Sequence, residues 1–255
     1  MKKVISYISE FAKALNKADL FDHFWNIERT WFEPPNLQRG GMEDGLSGAI
    51  KHQLVLNDTV YPVFVKIQSN SIFRSYGNCY KPCPTFFREF TATYQAQQAG
   101  VNTPDIIYYG EKGLKAIFVT HSLEDHQSLD LVFPYQPTAI RHKILEQLGQ
   151  NLCRLHKTRR AHLALFPKHV LVKIENDTVD VRLIDFEKSK RRLTRYKALF
   201  EDLERLFRRA DFLSYQDQEI LLKAYQQALP AWQYKRLHKK LIQTVIKNLA
   251  KKKVI

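Results

Sequence analysis

The pattern of apolar residues changes partway along this chain of 255 residues. Between Ala49 and Val119, apart from one helical segment, apolar residues come in short runs rich in β-branched and aromatic types, such as Val63-Phe64-Val65, as buried strands require. From Thr138 to His156 they recur at helical spacing instead, and everything after Arg191 has a helical pattern. Strands followed by helices predict an α+β fold with an antiparallel sheet in the first part and mainly helices in the second.

Individual elements follow from the same patterns. Residues 4–25 are predicted to form an amphipathic N-terminal helix. Thr85 is a suitable N-cap for a helix that continues to Gln98, and Gly100 ends it. Two hairpins are predicted, the first joining strands at 106–109 and 116–119 and the second at 170–172 and 179–184.

Composition narrows the classes of partner. Forty Lys and Arg residues against 26 Asp and Glu give a net charge of +14, concentrated in the C-terminal third, which favours an anionic partner. Three cysteines require no disulfide framework, and Cys79 and Cys83 alone would be only half of a metal site. Because no apolar run is long enough to span a bilayer, we expect a cytoplasmic protein.

Three polar residues stand out because they accompany buried elements in a chemically meaningful order. Lys66 ends an apolar strand, Glu89 follows 23 residues later on the next predicted helix, and Asp185 ends the strand Val179 to Ile184. Phosphoryl transfer uses a lysine on the nucleotide phosphates, a carboxylate that orients this lysine, and a second carboxylate that holds magnesium. The three residues therefore predict a nucleotide site.

A glycine-rich stretch precedes the first strands. Gly40, Gly41 and Gly48 could let backbone amides approach phosphates, although such a cluster can equally be a simple turn. Both interpretations stay open at this point.

Several short segments resemble one known family. They are Trp31-Phe32-Glu33-Pro34-Pro35-Asn36 with Arg39-Gly40-Gly41, then Pro84-Thr85-Phe86 with Arg88-Glu89, and Leu165-Phe166-Pro167-Lys168-His169. Together they look like the InaA branch of the Kdo/WaaP lipopolysaccharide-kinase family, over roughly Trp31 to Asp202. The resemblance implies one protein-kinase-like domain over 1–255, with an N-lobe at about 1–122 and a C-lobe at about 123–255. It also implies ATP and Mg²⁺ as cofactors and a sugar of the lipopolysaccharide core as acceptor.

The resemblance also carries residue roles. The catalytic segment of kinase-like proteins falls on His162 to His169, where His162 shapes the loop and Lys168 could meet a phosphorylated acceptor. His169 stands where asparagine usually binds metal, and it would share magnesium with Asp185. The usual catalytic aspartate is replaced by Ala164, which cannot accept a proton.

This replacement leaves two interpretations open. Either phosphoryl transfer survives on positioning and electrostatics, helped by a neighbour such as His162, His169 or Glu187, or the protein is a nucleotide-binding pseudokinase. Nucleic-acid binding is a third and weaker class, since a basic, aromatic C-terminus with Trp232 and Tyr234 is more often a solvated or membrane-facing surface. Peripheral contact of this C-terminus with anionic lipid stays possible on the same pattern.

Overall fold

A computed structural model describes residues 6–37, 45–74 and 82–226, together with 231, 232, 234–236 and 239. The chain divides into two compact units. The first comprises Met1–Thr91 and Pro104–Glu124, and the second comprises Ala92–Thr103 and Asp125–Ile255. The segment Ala92–Thr103 joins the second unit because Ala92, Ala96 and Val101 pack in the core of that unit. A single domain over 1–255 stays a prediction.

The first unit is built on an antiparallel sheet. Its strands are β1 (Ser6–Ile8), β2 (Leu46–Leu56), β3 (Thr59–Ser69), β4 (Ile72–Phe73), β5 (Cys83–Pro84), β6 (Ile106–Lys112) and β7 (Lys115–His121). Its helices are α1 (Glu10–Ala14), α2 (Leu20–Trp25) and the beginning of α3 (Thr85–Gln98). Five strands pair in the order β1-β6-β7-β3-β2, while β4 and β5 pair separately.

The long hairpin of β2 and β3 carries much of this sheet. Asn57 and Asp58 connect the strands with φ of 49° and 59°, the left-handed conformation that matches the twist of a two-residue hairpin. Val63, Val65 and Ile67 are fully buried on one face of β3, in the period of two that a strand imposes. Residues between them, including Lys66, therefore lie on the opposite face.

The predicted N-terminal helix over 4–25 is wrong. Within the described part of this range, β1 pairs with β6, and two short helices follow. The helical pattern is interrupted because the side chains of Ser9 and Asp19 cap α1 and α2, and Asn16 adopts a left-handed φ of 49°. The apolar residues of this region still pack on the sheet, with the buried ring of Phe24 against Tyr108.

The second unit combines helices with small sheets. Its helices are α4 (Leu129–Val132), α5 (Thr138–Lys157), α6 (Arg195–Arg209) and α7 (Tyr215–Gln226), and its strands are β8 (Gln127–Ser128), β9 (Arg160–Ala161), β10 (Val170–Glu175), β11 (Thr178–Leu183) and β12 (Lys190–Arg191). The strands form a sheet in the order β11-β10-β8 and a separate pair of β12 with β9. The apolar face of α5 packs with α6 and α7 in the core.

The second unit contains the helix and the hairpin that the sequence predicted there. Helix α5 covers the predicted 138–156, and β10 and β11 form the predicted hairpin. The basic C-terminal tail and most of the helical stretch after 231 lie outside the described residues. Within the described part of the chain, no helix combines the length and the apolar character needed to cross a bilayer.

Candidate active site

Lys66 and Glu89 form an ion pair in the first unit. Lys66 projects from β3, and its amine donates a hydrogen bond to Oε1 of Glu89 on α3. The Glu89 side chain is 4% exposed, whereas that of Lys66 is 28% exposed. A buried carboxylate therefore holds a lysine that still reaches solvent, which is the arrangement predicted from the spacing of the two residues.

A buried polar network holds β3 and α3 together beside this pair. Gln68, two residues after Lys66, accepts hydrogen bonds at Oε1 from the hydroxyl of Thr85 (2.9 Å) and the amide of Phe86 (2.6 Å). Its Nε2 donates to the carbonyl of Ser71 at 2.6 Å. Gln68 thus satisfies an amide at the start of α3, one of the groups a helix leaves unpaired. Sequence reasoning missed it, although a glutamine inside an apolar strand was a usable signal.

The predicted phosphate-binding glycines are only partly described. Gly40 and Gly41 lie outside the described residues. Gly48 lies in β2 opposite Ile67, and a Cβ there would come within 2.5 Å of the Trp31 ring. The ring therefore needs a glycine at position 48 for packing, and a phosphate-binding role for Gly48 stays a prediction.

The loop that carries Ala164 is organised by Asp202, a buried residue of α6. Its carboxylate accepts the amides of His162 (2.6 Å) and Leu163 (2.7 Å) and lies 3.0 Å from Nε2 of His156. Burial raises the pKa of Asp202, but the hydrogen bonds and electrostatic interactions with His156 and His162 outweigh burial, and the pKa is lowered overall. Asp202 was not among the predicted site residues. Its place on the apolar stripe of an amphipathic helix could have indicated it.

His162 is buried, and both of its ring nitrogens are engaged within the loop. Nε2 donates to the carbonyl of Ile184 at 2.9 Å, and Nδ1 accepts from the amide of Ala164 at 3.3 Å. Burial lowers the pKa of His162, which keeps the ring neutral. The geometry fits a loop-shaping role, since no ring lone pair is left for a reacting hydroxyl.

His169 and Asp185 come together at the end of the loop. Nδ1 of His169 lies 2.7 Å from the carbonyl of Ala164 and must donate to it, and the amide of Ile184 donates to the carbonyl of His169 at 3.1 Å. Ile184 is therefore held by both loop histidines, and Asp185 follows in a left-handed conformation with φ 64°. Non-glycine residues adopt this conformation at a cost, and such strain is common at functional sites.

The Asp185–His169 pair fits a divalent cation. In neutral His169 the lone pair lies on Nε2, which is 3.3 Å from Oδ2 of Asp185. Two acceptors this close need a proton or a cation between them. The carboxylate suits Mg²⁺, whereas the imidazole is a ligand more typical of transition metals. The described residues contain no group of three or more side chains with metal-binding potential, so solvent or a ligand would complete the coordination sphere.

The remaining loop residues differ in exposure. Lys168 is exposed, while the side chain of Ala164 is buried at 1% exposure. Phe166 lies under the guanidinium of Arg209, 4.2 Å from its ring centroid, in a cation–π contact that ties the loop to α6.

Comparisons with known proteins agree with this geometry. The lipopolysaccharide kinase (Kdo/WaaP) family matches residues 22–225. The chain belongs to this family. It is 29% identical over 223 residues to Protein InaA of Escherichia coli (strain K12), covering 84% of this chain and 98% of that relative. The predicted family and its InaA branch are confirmed.

A solved structure extends the similarity to the fold. The structure described as WaaP in complex with acyl carrier protein matches with a TM-score of 0.65 at 17% identity, covering 94% of this chain and 99% of that one. At this identity the match concerns the fold alone, and it confirms the predicted α+β, kinase-like class. Membership in a kinase family supports a phosphotransferase in general.

Proposed function

We propose that this member of the family transfers a phosphoryl group from ATP to a hydroxyl of an inner-core sugar of lipopolysaccharide, Kdo or heptose. The observation that carries the proposal is the ion pair between Lys66 on a buried strand and Glu89 on the following helix. This pairing is how protein kinases hold the lysine that contacts nucleotide phosphates. The family match supports the same reaction class.

We propose a role for each of the candidate site residues that follow. Lys66 contacts the phosphates, and Glu89 keeps its amine in position. Asp185 and His169 hold Mg²⁺, which when bound would offset the negative charge of the phosphates. Lys168 is exposed on the same loop, and we propose that it meets an anionic group of the acceptor.

The acceptor hydroxyl must lose its proton without the usual aspartate. Ala164 has no acceptor in its side chain, and both nitrogens of His162 are engaged. In a loose phosphoryl-transfer transition state the proton leaves late, so positioning and electrostatics supply most of the acceleration. A general base contributes typically about 10²–10⁴-fold, and we expect turnover slower by a factor in this range.

Nucleotide binding is the first property to test. Purified wild-type, Lys66→Ala and Lys13→Ala proteins are heated with and without ATP and Mg²⁺, because ligand binding to the folded state raises the melting temperature. Lys13 is a suitable control, since it is an exposed lysine also paired with a glutamate. We expect a magnesium-dependent shift in wild type and Lys13→Ala that is lost in Lys66→Ala. Equal shifts in all three proteins contradict the site.

Transfer is tested separately. Radiolabelled ATP is incubated with lipopolysaccharide core, and label on the sugar is measured with Mg²⁺, with Mn²⁺ and with chelator. Label that depends on the cation and disappears in Asp185→Ala supports a kinase. Absence of any label under all conditions, with nucleotide binding intact, contradicts it.

A pseudokinase is the second candidate, and Ala164 favours it. The Ala164 side chain is a buried methyl, and the backbone on both sides of it is used to hold His162 and His169. The loop is thus fully formed without a base, as a binding module would require. Robust turnover that Asp185→Ala abolishes excludes this candidate.

The cellular setting follows from the proposed acceptor. We propose a cytoplasmic protein, in peripheral contact with the inner face of the cytoplasmic membrane through its basic C-terminus. Binding to vesicles with anionic lipid, lost when the tail after residue 239 is removed, is the expected result.

Nucleic-acid binding is disfavoured, and weak salt dependence of any RNA or DNA binding would remove it, because phosphate contacts make such binding steeply salt-sensitive.

A further inference from the structure

The second unit contains an open cavity of about 320 Å³ outside the Asp185–His169 site. It lies between the end of α3, the end of α5 and the paired strands β9 and β12. Its lining consists of Gln95, Gln98, Ala99, Thr158, Arg160 and Arg191. Five of these six side chains can donate hydrogen bonds.

Arg160 is the unusual member of this lining. The residue is only 9% exposed, yet its guanidinium donates to neutral oxygens, those of Gln95 and of Ser189 at 3.4 Å. Burial lowers the pKa of Arg160, and the neighbouring charge of Arg191 lowers it further. Among the described residues, the adjacent Arg192 pairs with Glu201 at 2.6 Å, whereas Arg160 and Arg191 have no carboxylate within ion-pair distance. Buried charges are normally paired, whereas the buried charge of Arg160 has no counter-ion among the described residues.

The surrounding sequence does not supply one. The lining segments 95–99, 157–160 and 188–192 contain no acidic residue. They contain seven basic ones, which are Lys157, Arg159, Arg160, Lys188, Lys190, Arg191 and Arg192, and of these Arg192 is paired with Glu201.

Helix dipoles offset only part of this charge. The cavity lies at the C-terminal ends of α3 and α5, each of which carries a partial charge of about −0.5. Other groups already use carbonyls at these ends, since Arg154 donates to the carbonyl of Gly100 (3.2 Å) and the hydroxyl of Thr158 to that of Leu155 (2.7 Å). The donors of Arg160 point to side chains instead, so the two arginines keep a net positive field in the cavity.

We propose that this cavity is a binding site for a phosphate group. A phosphate monoester carries about −1.5 to −2 charges at neutral pH, which matches Arg160 and Arg191 together. Guanidinium groups bind phosphate oxygens in a bidentate manner, and the amides of Gln95 and Gln98 can donate to the remaining oxygens. The site is separate from the proposed nucleotide and magnesium residues and does not depend on catalysis.

Occupancy of the site would stabilise the segments on both sides of the catalytic-type loop. Arg160 and Arg191 face each other in the β9–β12 pair, and Ser189 links the strands by donating to the carbonyl of Ala161 at 2.8 Å. Strand β9 leads directly into His162, and β12 follows Asp185 by five residues. A phosphate shared by the two arginines would therefore hold both strands together.

The test measures binding of a plain phosphate group. The full chain is titrated with inorganic phosphate by calorimetry, with chloride at matched ionic strength as the reference. A second arm measures sedimentation with phosphatidylcholine vesicles that contain phosphatidic acid, which carries the same group on a lipid. Arg191→Gln removes one exposed donor without disturbing the core, and Arg160→Lys keeps the charge but loses the guanidinium geometry.

We expect Arg191→Gln to weaken binding about tenfold, as loss of one charge-assisted contact implies. Arg195→Gln is the matched control, an exposed arginine outside the cavity with the same change in net charge, and its binding should stay within about twofold of wild type. If Arg191→Gln weakens the binding of inorganic phosphate, the site is assigned to free phosphate. If it weakens only the sedimentation with vesicles, the site is assigned to a lipid headgroup.

The proposal is overturned if wild type binds inorganic phosphate no better than chloride and sediments with the phosphatidic acid vesicles no better than with phosphatidylcholine alone, or if Arg191→Gln and Arg195→Gln weaken binding equally. Lys66→Ala should bind phosphate here as wild type does. Failure of the nucleotide proposal and failure of this one are therefore distinguishable.

Discussion

Removing the carboxylate of Asp202 should destabilise the second unit strongly. Asp202 accepts two backbone amides, from His162 at 2.6 Å and Leu163 at 2.7 Å, and it pairs with the buried ring of His156. Asp202→Ala leaves both amides without this acceptor, and losing the several hydrogen bonds of a buried carboxylate costs about 3–5 kcal/mol in sum. Asp202→Asn keeps one oxygen acceptor, and we expect a loss of about 2–3 kcal/mol.

The measurement is urea unfolding followed by circular dichroism. The dependence of the unfolding free energy on urea concentration must be the same in all variants, so that the midpoints compare stability alone. Asp177→Asn is the control, an exposed aspartate in the left-handed turn between β10 and β11, where asparagine is equally suited. Its stability should stay within about 0.5 kcal/mol of wild type. A loss below about 1 kcal/mol for Asp202→Ala would refute the idea that this carboxylate organises the loop.

The same residue predicts a pH dependence. Because the folded pKa of Asp202 lies below its ordinary value of 3.8, its ionised form contributes stability above about pH 3.8 that is lost as pH falls through the folded pKa. The difference in stability between wild type and Asp202→Asn should therefore shrink at strongly acidic pH. A difference that stays constant down to acid unfolding contradicts the lowered pKa.

Three further predictions concern other positions. Ala164→Asp restores a possible base and should raise phosphate transfer to lipopolysaccharide core by about 10²-fold or more; an unchanged rate argues against a missing base as the limit. The buried, neutral His162 has a lowered pKa, so wild type should lose stability as pH falls below 6.5, by at most about 1.4 kcal/mol per pH unit for this proton. When urea midpoints are plotted against pH, His162→Asn should lose the part of the slope that comes from this proton. His142→Asn, at an exposed position, should keep it. Gly48→Ala places a methyl within 2.5 Å of Trp31 and should cost about 1–3 kcal/mol by thermal unfolding; an unchanged midpoint contradicts the packing role.

Local patterns were sufficient for most regular elements and failed where a few polar residues interrupt them. The β3 strand, α5 and the β10–β11 hairpin are sustained periodic segments, and they form where they were predicted. Lys66, however, does not end β3 as predicted, because the strand keeps its pairing partners as far as Ser69. The stretch 4–25 has similar apolar spacing, but side-chain caps divide its described part into short pieces, and the strand within it exists only because β6 offers a free edge. Pairing with a distant strand leaves no trace in local periodicity.

Within the candidate site, chain order identified residues whose roles come as a recognisable set. Lys66 and Glu89 were predicted as a pair from spacing and kinase-like order, and the structure brings them together. Gln68 and Asp202 were missed because each acts on backbone groups far away in sequence. A lone polar residue in an apolar stripe shows that a buried partner exists, but not which one.

The sequence by itself predicted the class of fold and the family, both of which are confirmed, and it indicated candidate residues for a nucleotide site, because these depend on residue type and order. The tertiary structure decided how those residues are held. It placed the two loop histidines around Ile184, so that Nε2 of His169 faces Asp185, and it left Arg160 buried without a carboxylate partner among the described residues. Hydrogen-bond direction and the absence of a counter-ion depend on contacts between distant segments, and only folding creates them.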